Sequence, residues 1–139
     1  MNYLDFNPSS RPTAMGSKGM ATSAHPLASL AGINVLNKGG NAFDAIVAIA
    51  STLNVAEPFM SGMGGVGFGL VYQAKKKKLK FLDFSGFAPE LADPEKFTEE
   101  SKEIGPWAPV VPCNLAGWLT IQEELGVLDR EQVFEDAIN

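Results

Sequence analysis

The stretch Gly39-Gly40-Asn41-Ala42-Phe43-Asp44-Ala45-Ile46-Val47-Ala48-Ile49-Ala50 sets the frame of the chain. Two glycines stop whatever helix precedes them. Asn41 offers a side-chain acceptor to the free N–H groups of a new helix, and Asp44, three residues on, favours its positive end. Ala45, Ile46, Val47, Ala48, Ile49, Ala50, Leu53 and Val55 leave almost no polar face, which predicts a helix covered on most sides and ended by Pro58. The apolar run from Ala45 to Ala56 is interrupted by Ser51, Thr52 and Asn54. It is shorter than the roughly 18 to 20 residues that cross a bilayer, so it reads as a buried helix and gives no membrane partner.

Upstream, Pro26 suits a first helical turn, and Leu27, Leu30, Ile33 and Leu36 recur at helical spacing, so residues 25–57 read as two helices. Residues 1–24 are rich in Ser, Thr, Gly and Pro without a sustained period, which predicts an extended arm lying on another surface. Downstream, Phe68 to Ala74 and Leu79 to Phe84 are rich in aromatic and branched residues and flank a lysine turn, predicting a β-hairpin over 68–84. Phe68, Leu70 and Tyr72 share one face of it, and Gly69, Val71 and Gln73 the other.

Five prolines over residues 85–113 predict mostly loop, with one short helix near Asp93 to Phe97. Over 114–139, Asn114 is placed to cap a helix that Gly126 ends, and Asp129 with Gln132 offers a capping box for another. The result is an α+β arrangement: helices, then a hairpin, then further helices. Two strands make too little sheet to stand alone, and Val133, Phe134, Ala137 and Ile138 form an apolar face with no following element to cover it. Residues 1–139 are therefore expected to be a single partial domain.

The chain has 139 residues, 45% of them hydrophobic and 19% charged, a balance that predicts a packed core. Its net charge of -5, with basic residues clustered only at Lys75–Lys78 and Lys80, excludes a nucleic-acid surface spread over a face or groove. With one cysteine and one histidine, no metal site or disulfide framework is expected. Met1 to Arg11 lacks the basic start and apolar centre of a signal peptide, which makes a cytoplasmic location the expectation.

Several residue patterns carry possible chemistry. Gly62, Gly64 and Gly67 fit the G-x-G-x-x-G spacing, but a helix precedes and a strand follows, the reverse of what a dinucleotide site needs. The alternative is an irregular backbone that approaches another segment closely. His25 serves either as a residue at a helix start or as a catalytic base, and Cys113 either as a small packed side chain or as a nucleophile. Sequence shows no base, orienting partner or oxyanion donor beside either one. No glycosidase-type pair stands out among the acidic residues, which fall mostly on loops and polar helix faces.

Taken together, Gly19-Met20-Ala21-Thr22-Ser23, His25-Pro26-Leu27-Ala28, Gly39 through Ala45, Glu57-Pro58, Ser61-Gly62-Met63-Gly64-Gly65, Ala88-Pro89, Val111-Pro112 and Leu115-Ala116-Gly117-Trp118 resemble, in order and spacing, the N-terminal region of gamma-glutamyltranspeptidases. The resemblance implies the N-terminal fragment of an αββα sandwich of the N-terminal-nucleophile hydrolases. It implies a proenzyme that cleaves itself and exposes a threonine at the start of its small subunit. That residue supplies both the hydroxyl nucleophile and, through its amine, the base. On this reading the chain holds no catalytic residue of its own and needs no cofactor or metal. Its partners are the remainder of its precursor, including the nucleophile-bearing small subunit, and a small gamma-glutamyl or other acyl amide. Glutathione metabolism is the implied setting.

The segment Asp83-Phe84-Ser85-Gly86-Phe87-Ala88-Pro89 resembles the family's Asp-Phe-Arg-Glu-x-Ala-Pro, with the arginine replaced by Ser85. That arginine typically holds the alpha-carboxylate of the gamma-glutamyl group, a task for a bidentate guanidinium that serine matches poorly. Some relatives carry Ser-Gly-Arg here, where this chain has Phe87. Ser85, Gly86 and Phe87 are thus the expected substrate-binding residues, either lining a pocket or, for Phe87, packing under the loop. The competing reading is a truncated or degenerate relative that acts as a non-catalytic assembly or interaction module.

Overall fold

The computed structural model describes residues 13–139, so the N-terminal half of the expected arm and the Met1–Arg11 segment lie outside the described residues. Residues 13–24 have no regular structure and reach the first helix, where the Ser23 and Ser29 hydroxyls are 2.7 Å apart. Helix α1 spans Pro26–Asn37 and helix α2 Ala42–Ala56. Strands β1, Gly67–Gln73, and β2, Lys78–Phe84, form an antiparallel pair. A 3₁₀ turn at Pro94–Lys96 and the short helix α3, Glu99–Glu103, follow, then α4, Asn114–Leu125, and α5, Arg130–Ile138. No helix of the described residues is long and apolar enough to cross a membrane.

Helix α2 is central and packs against α1, α4 and α5. Its Ala45, Val47 and Ala48 join Ala31 and Val35 of α1, Trp118 and Ile121 of α4 and Val133 of α5 in one buried cluster. The start of α2 explains its place. Asn41 Oδ1 accepts from the Phe43 and Asp44 N–H groups, and Asp44 Oδ2 accepts from the Asn41 N–H at 2.9 Å, a reciprocal capping box. Asp44 is 0% exposed and also accepts from the Val127 N–H at 3.1 Å, while Asn41 Nδ2 donates to the Leu125 carbonyl at 2.7 Å. The beginning of α2 is thereby tied to the link between α4 and α5.

The covering of α2 is less complete than its composition predicts, because Ile46 and Val55 remain exposed. Conversely, the apolar face of α5 finds partners within the chain: Val133 is buried in the common cluster and Phe134 packs against it, which leaves Ile138 exposed. Asn34 of α1 and Lys38, just past its end, also hold Asp136 and Glu135 of α5, and the bond to Glu135 raises the Lys38 ammonium above its ordinary value of 10.5.

The hairpin presents two different faces. In its register Gly69 faces Leu82 and Gly67 faces Phe84, and Val71, Leu82 and Phe84 turn toward the helices. Lys80 of that face pairs with Glu124 of α4 at 3.8 Å. Phe68, Leu70, Tyr72, Leu79 and Phe81 occupy the other face and are exposed, with the Phe68 and Phe81 rings stacked 5.8 Å apart. Gly117 of α4 admits the Phe84 ring. A Cβ there would fall 2.6 Å from Phe84 Cδ1, inside contact distance, so strand and helix approach more closely than any larger residue permits.

Two local expectations are corrected. The helix predicted near Asp93 to Phe97 is only a single 3₁₀ turn, and a separate helix forms at Glu99–Glu103, started by Thr98 and Ser101 in a reciprocal cap. Asn114 does not cap α4. Cys113 holds the cap position, and the Asn114 amide instead donates to the Gly62 carbonyl at 2.8 Å.

Replacing Asp44 by alanine removes the charged acceptor of the part-buried Asn41 and Val127 N–H groups, and a hydrogen bond to a charged group contributes roughly 1.5 to 3 kcal/mol. We expect a clear fall in the urea midpoint of D44A, followed by circular dichroism. A midpoint unchanged from the parent would show that the tie between α2 and the α4–α5 link carries no stability.

Candidate functional site

The glycine-rich loop between α2 and β1 is occupied by the chain itself. The Cys113 and Asn114 N–H groups donate to the Gly65 carbonyl at 3.2 and 3.0 Å, and the Leu115 N–H donates to the Met63 carbonyl at 3.3 Å. These are the free donors at the start of α4, the groups that would otherwise receive a phosphate. The G-x-G-x-x-G spacing of Gly62, Gly64 and Gly67 thus serves a close approach of two backbone segments.

That approach places the end of β2 beside the start of α4. At the end of the strand the Ser85 N–H donates to Asp83 Oδ1 at 2.9 Å and the Ser85 hydroxyl donates to the same oxygen at 2.6 Å. The hydroxyl bond first, and the backbone bond second, hold the Asp83 carboxyl below its ordinary value of 3.8. With its proton engaged, Ser85 Oγ has only acceptor lone pairs to offer. Gly86 follows at φ +78, a left-handed turn, and a Cβ there would lie 3.1 Å from both the Val111 carbonyl and its Cβ. Glycine is therefore required on both conformational and steric grounds.

The turn projects Phe87 outward to 92% exposure, which removes the reading that it packs under the loop. Phe87 stands between two cavities. One, of about 530 Å³, lies between the end of β2 and α4, lined by Asp83, Phe84, Gly86, Cys113, Gly117 and Thr120 among others. The second, of about 620 Å³, is an open hollow bordered by the proline-rich connection and lined by Ser85, Gly86 and Phe87 together with Phe97, Trp107 and Val111. Structure thus brings the three expected substrate residues to one wall. Phe97 and Trp107 escaped sequence reasoning because they fall in a loop without periodicity; their proximity to prolines was the only available signal.

The remaining candidates separate from this wall. His25 begins α1, its Nδ1 accepting from the Leu27 N–H at 3.3 Å. Cys113 is half-buried, begins α4 and lines the first cavity. No cluster of three or more potential metal ligands occurs among the described residues.

Comparison with known proteins matches this arrangement to one family. The family model for gamma-glutamyltranspeptidase matches residues 28–139. The glutathione hydrolase proenzyme of Bacillus subtilis strain 168 is 41% identical over 132 residues, covering 89% of this chain and 22% of that protein. The acylase ACY 1 proenzyme of Pseudomonas sp. strain SE83 is 37% identical over 147 residues, covering 96% of this chain and 26% of the relative. Among solved structures, Helicobacter pylori gamma-glutamyltranspeptidase superposes with a TM-score of 0.84 at 35% identity, covering 91% of this chain and 38% of that one. The chain therefore spans about a quarter of the curated relatives it matches.

Two outcomes follow from this geometry. ATP and NAD should leave the melting temperature unchanged, since the amides at the start of α4 are already engaged; a rise with either nucleotide would overturn that assignment. Because the folded Asp83 value is depressed, the Asp83–Ser85 turn adds stability above the ordinary value of 3.8 and loses it as pH falls through the lower folded value. Carboxyl NMR titration should find Asp83 below 3.8, and Ser85→Ala should move it back up.

Proposed function

This chain belongs to the gamma-glutamyltranspeptidase family, and from that premise we propose that the protein containing it transfers or hydrolyses an acyl amide, with the chain supplying one wall of the acyl pocket. The nucleophile is the N-terminal threonine that the family resemblance assigns to the small subunit of the precursor. Its hydroxyl oxygen adds to the amide carbonyl while its amine takes the proton. Collapse of the tetrahedral intermediate breaks the carbon–nitrogen bond and delivers the proton to the departing amine, leaving an acyl ester. Water or a second amine then attacks that ester and restores the threonine.

The observation that carries the pocket assignment is the placement of Ser85, Gly86 and Phe87 along one cavity wall, at the end of the strand that resembles the family's arginine-bearing segment. Specificity differs from that of an arginine-bearing wall. Ser85 donates its proton to Asp83 and offers a substrate carboxylate no donor from its side chain, while Asp83 adds a negative charge nearby. A gamma-glutamyl alpha-carboxylate is therefore disfavoured, and an uncharged acyl group is the preferred substrate. Glutathione, which carries that carboxylate, fits this wall poorly.

An assembly module is the second reading, for which the exposed apolar face of Phe68, Leu70, Tyr72, Leu79 and Phe81 would be the contact surface. The same face is suited to the inner layer of the αββα sandwich, so it does not favour a non-catalytic role.

Restoring the guanidinium tests the wall. A charge-assisted hydrogen bond contributes roughly 1.5 to 3 kcal/mol, or about ten- to a hundredfold in recognition. In the complete, self-processed protein, Ser85→Arg should raise kcat/KM for gamma-glutamyl anilides relative to apolar acyl anilides by about that factor. Equal or reversed preference, with self-cleavage intact, would remove Ser85 from the acyl site.

A further inference from the structure

The proline-rich connection, expected to be little more than loop, builds the larger of the two cavities at the Ser85 wall. We propose that this cavity seats a ring-bearing, uncharged acyl group, held by Phe87, Phe97 and Trp107; the proposal rests on the acyl-amide reading above and names its substrate class.

Size is the first support. At about 620 Å³ the cavity lies within the range of small-molecule sites, roughly 300 to 1,000 Å³, and is far larger than a packing defect. Its aromatic lining is the second. The Phe97 and Trp107 rings meet edge to face with centroids 5.5 Å apart, an arrangement that fixes each ring and leaves Trp107 46% exposed. Phe87 is carried to the same cavity by Gly86, whose turn is wedged against Val111, so its exposure follows from a constrained backbone. Three aromatic side chains from separate positions in the connection thus converge on one space and leave apolar surface open to it.

Charge supplies the third support and argues against an anionic occupant. Lys102 is the cation in the lining, and its Nζ is paired with Glu99 Oε1 at 2.6 Å. Ser85 presents acceptor lone pairs, and its hydroxyl is bonded to the Asp83 carboxylate two residues back. A carboxylated acyl chain would share Lys102 with the exposed Glu99 and lie near the Asp83 carboxylate that binds Ser85. An aromatic ring requires neither and gains edge-to-face contacts. Because Ser85 and Gly86 line the same cavity, the ring sits next to the segment assigned to the acyl wall.

The test uses the complete, self-processed protein with matched anilides of acetyl, phenylacetyl, glutaryl and gamma-glutamyl groups, together with calorimetric binding of 2-phenylethanol, a neutral probe of the same size. The expected result is a phenylacetyl kcat/KM at least roughly tenfold above acetyl, as partial burial of a phenyl ring provides. 2-Phenylethanol should bind the parent protein. Trp107→Ala should lower the phenylacetyl-to-acetyl ratio and weaken 2-phenylethanol binding, and the milder Trp107→Leu should do the same to a smaller degree if the alanine variant fails to self-process. A phenylacetyl preference untouched by Trp107→Leu and Phe87→Ala would overturn this cavity as the seat while leaving the uncharged-acyl reading in place. A glutaryl preference abolished by Lys102→Ala would overturn it in favour of an anion site. A gamma-glutamyl preference independent of Lys102 would overturn the underlying reading of Ser85 as well.

Discussion

The carboxylate of Asp44 is the constraint on which the rest of the structure depends. A fully buried carboxylate is costly unless its oxygens are satisfied, and here the chain satisfies them with backbone donors from two distant segments, Asn41 and Val127. The first donor belongs to the start of α2, whose free N–H groups and dipole already favour negative charge. The second, 83 residues away in sequence, belongs to the link between α4 and α5. Asn41 closes the same circuit by donating to Leu125, and Gln122 donates to Leu128 beyond it. A polar network of this kind is stable only when complete, so it fixes the angle at which α4 and α5 leave their connection.

From that fixed connection the position of the site follows by contact. Helix α4 runs back to the glycine-rich loop, whose Gly65 and Met63 carbonyls accept its first donors. Along the way Gly117 receives the Phe84 ring and holds the end of β2 against the helix. The Asp83–Ser85 turn begins at that clamp, which explains how a short polar motif on an exposed strand end keeps a defined direction. The aromatic wall sits one step further from the core, on a connection that carries no buried residue between Ser85 and Val111. Burial thus declines from the helical frame to the wall, the usual relation between a scaffold and the loop it positions.

What could be read from the sequence was what depended on neighbouring residues. Asn41 and Asp44 are three apart and cap the helix they begin, and the alternation from Phe68 to Tyr72 sorts onto two hairpin faces. Asn114 was misread because its partner, Gly62, is 52 residues away, and a local rule for helix caps has no knowledge of a carbonyl brought in by folding. The short helix at Glu99–Glu103 escaped because five polar residues leave no apolar period, and its cap pairs Thr98 with a serine where the usual pattern has a glutamate or glutamine. Ser85, Gly86 and Phe87 were singled out through family resemblance, and the structure sets them along one hollow. Phe97 and Trp107 were not, since only the fold of an aperiodic connection brings them opposite Phe87.

The hairpin joins its exposed apolar face to the Asp83–Ser85 turn through a single strand. Period-two alternation along β2 puts Leu82 and Phe84 toward the helices and Phe81 and Asp83 on the opposite face, where the register sets Asp83 across from Phe68. The exposed apolar face therefore ends at the same carboxylate that anchors Ser85. A layer packed over Phe68 and Phe81 has its border at Asp83, and any displacement of that layer changes the surroundings of the Asp83–Ser85 turn. Cover for the hairpin and anchorage of Ser85 thus meet on one strand: a layer completing the sheet would also exclude water at its margin, where weaker screening would strengthen the field of Asp83.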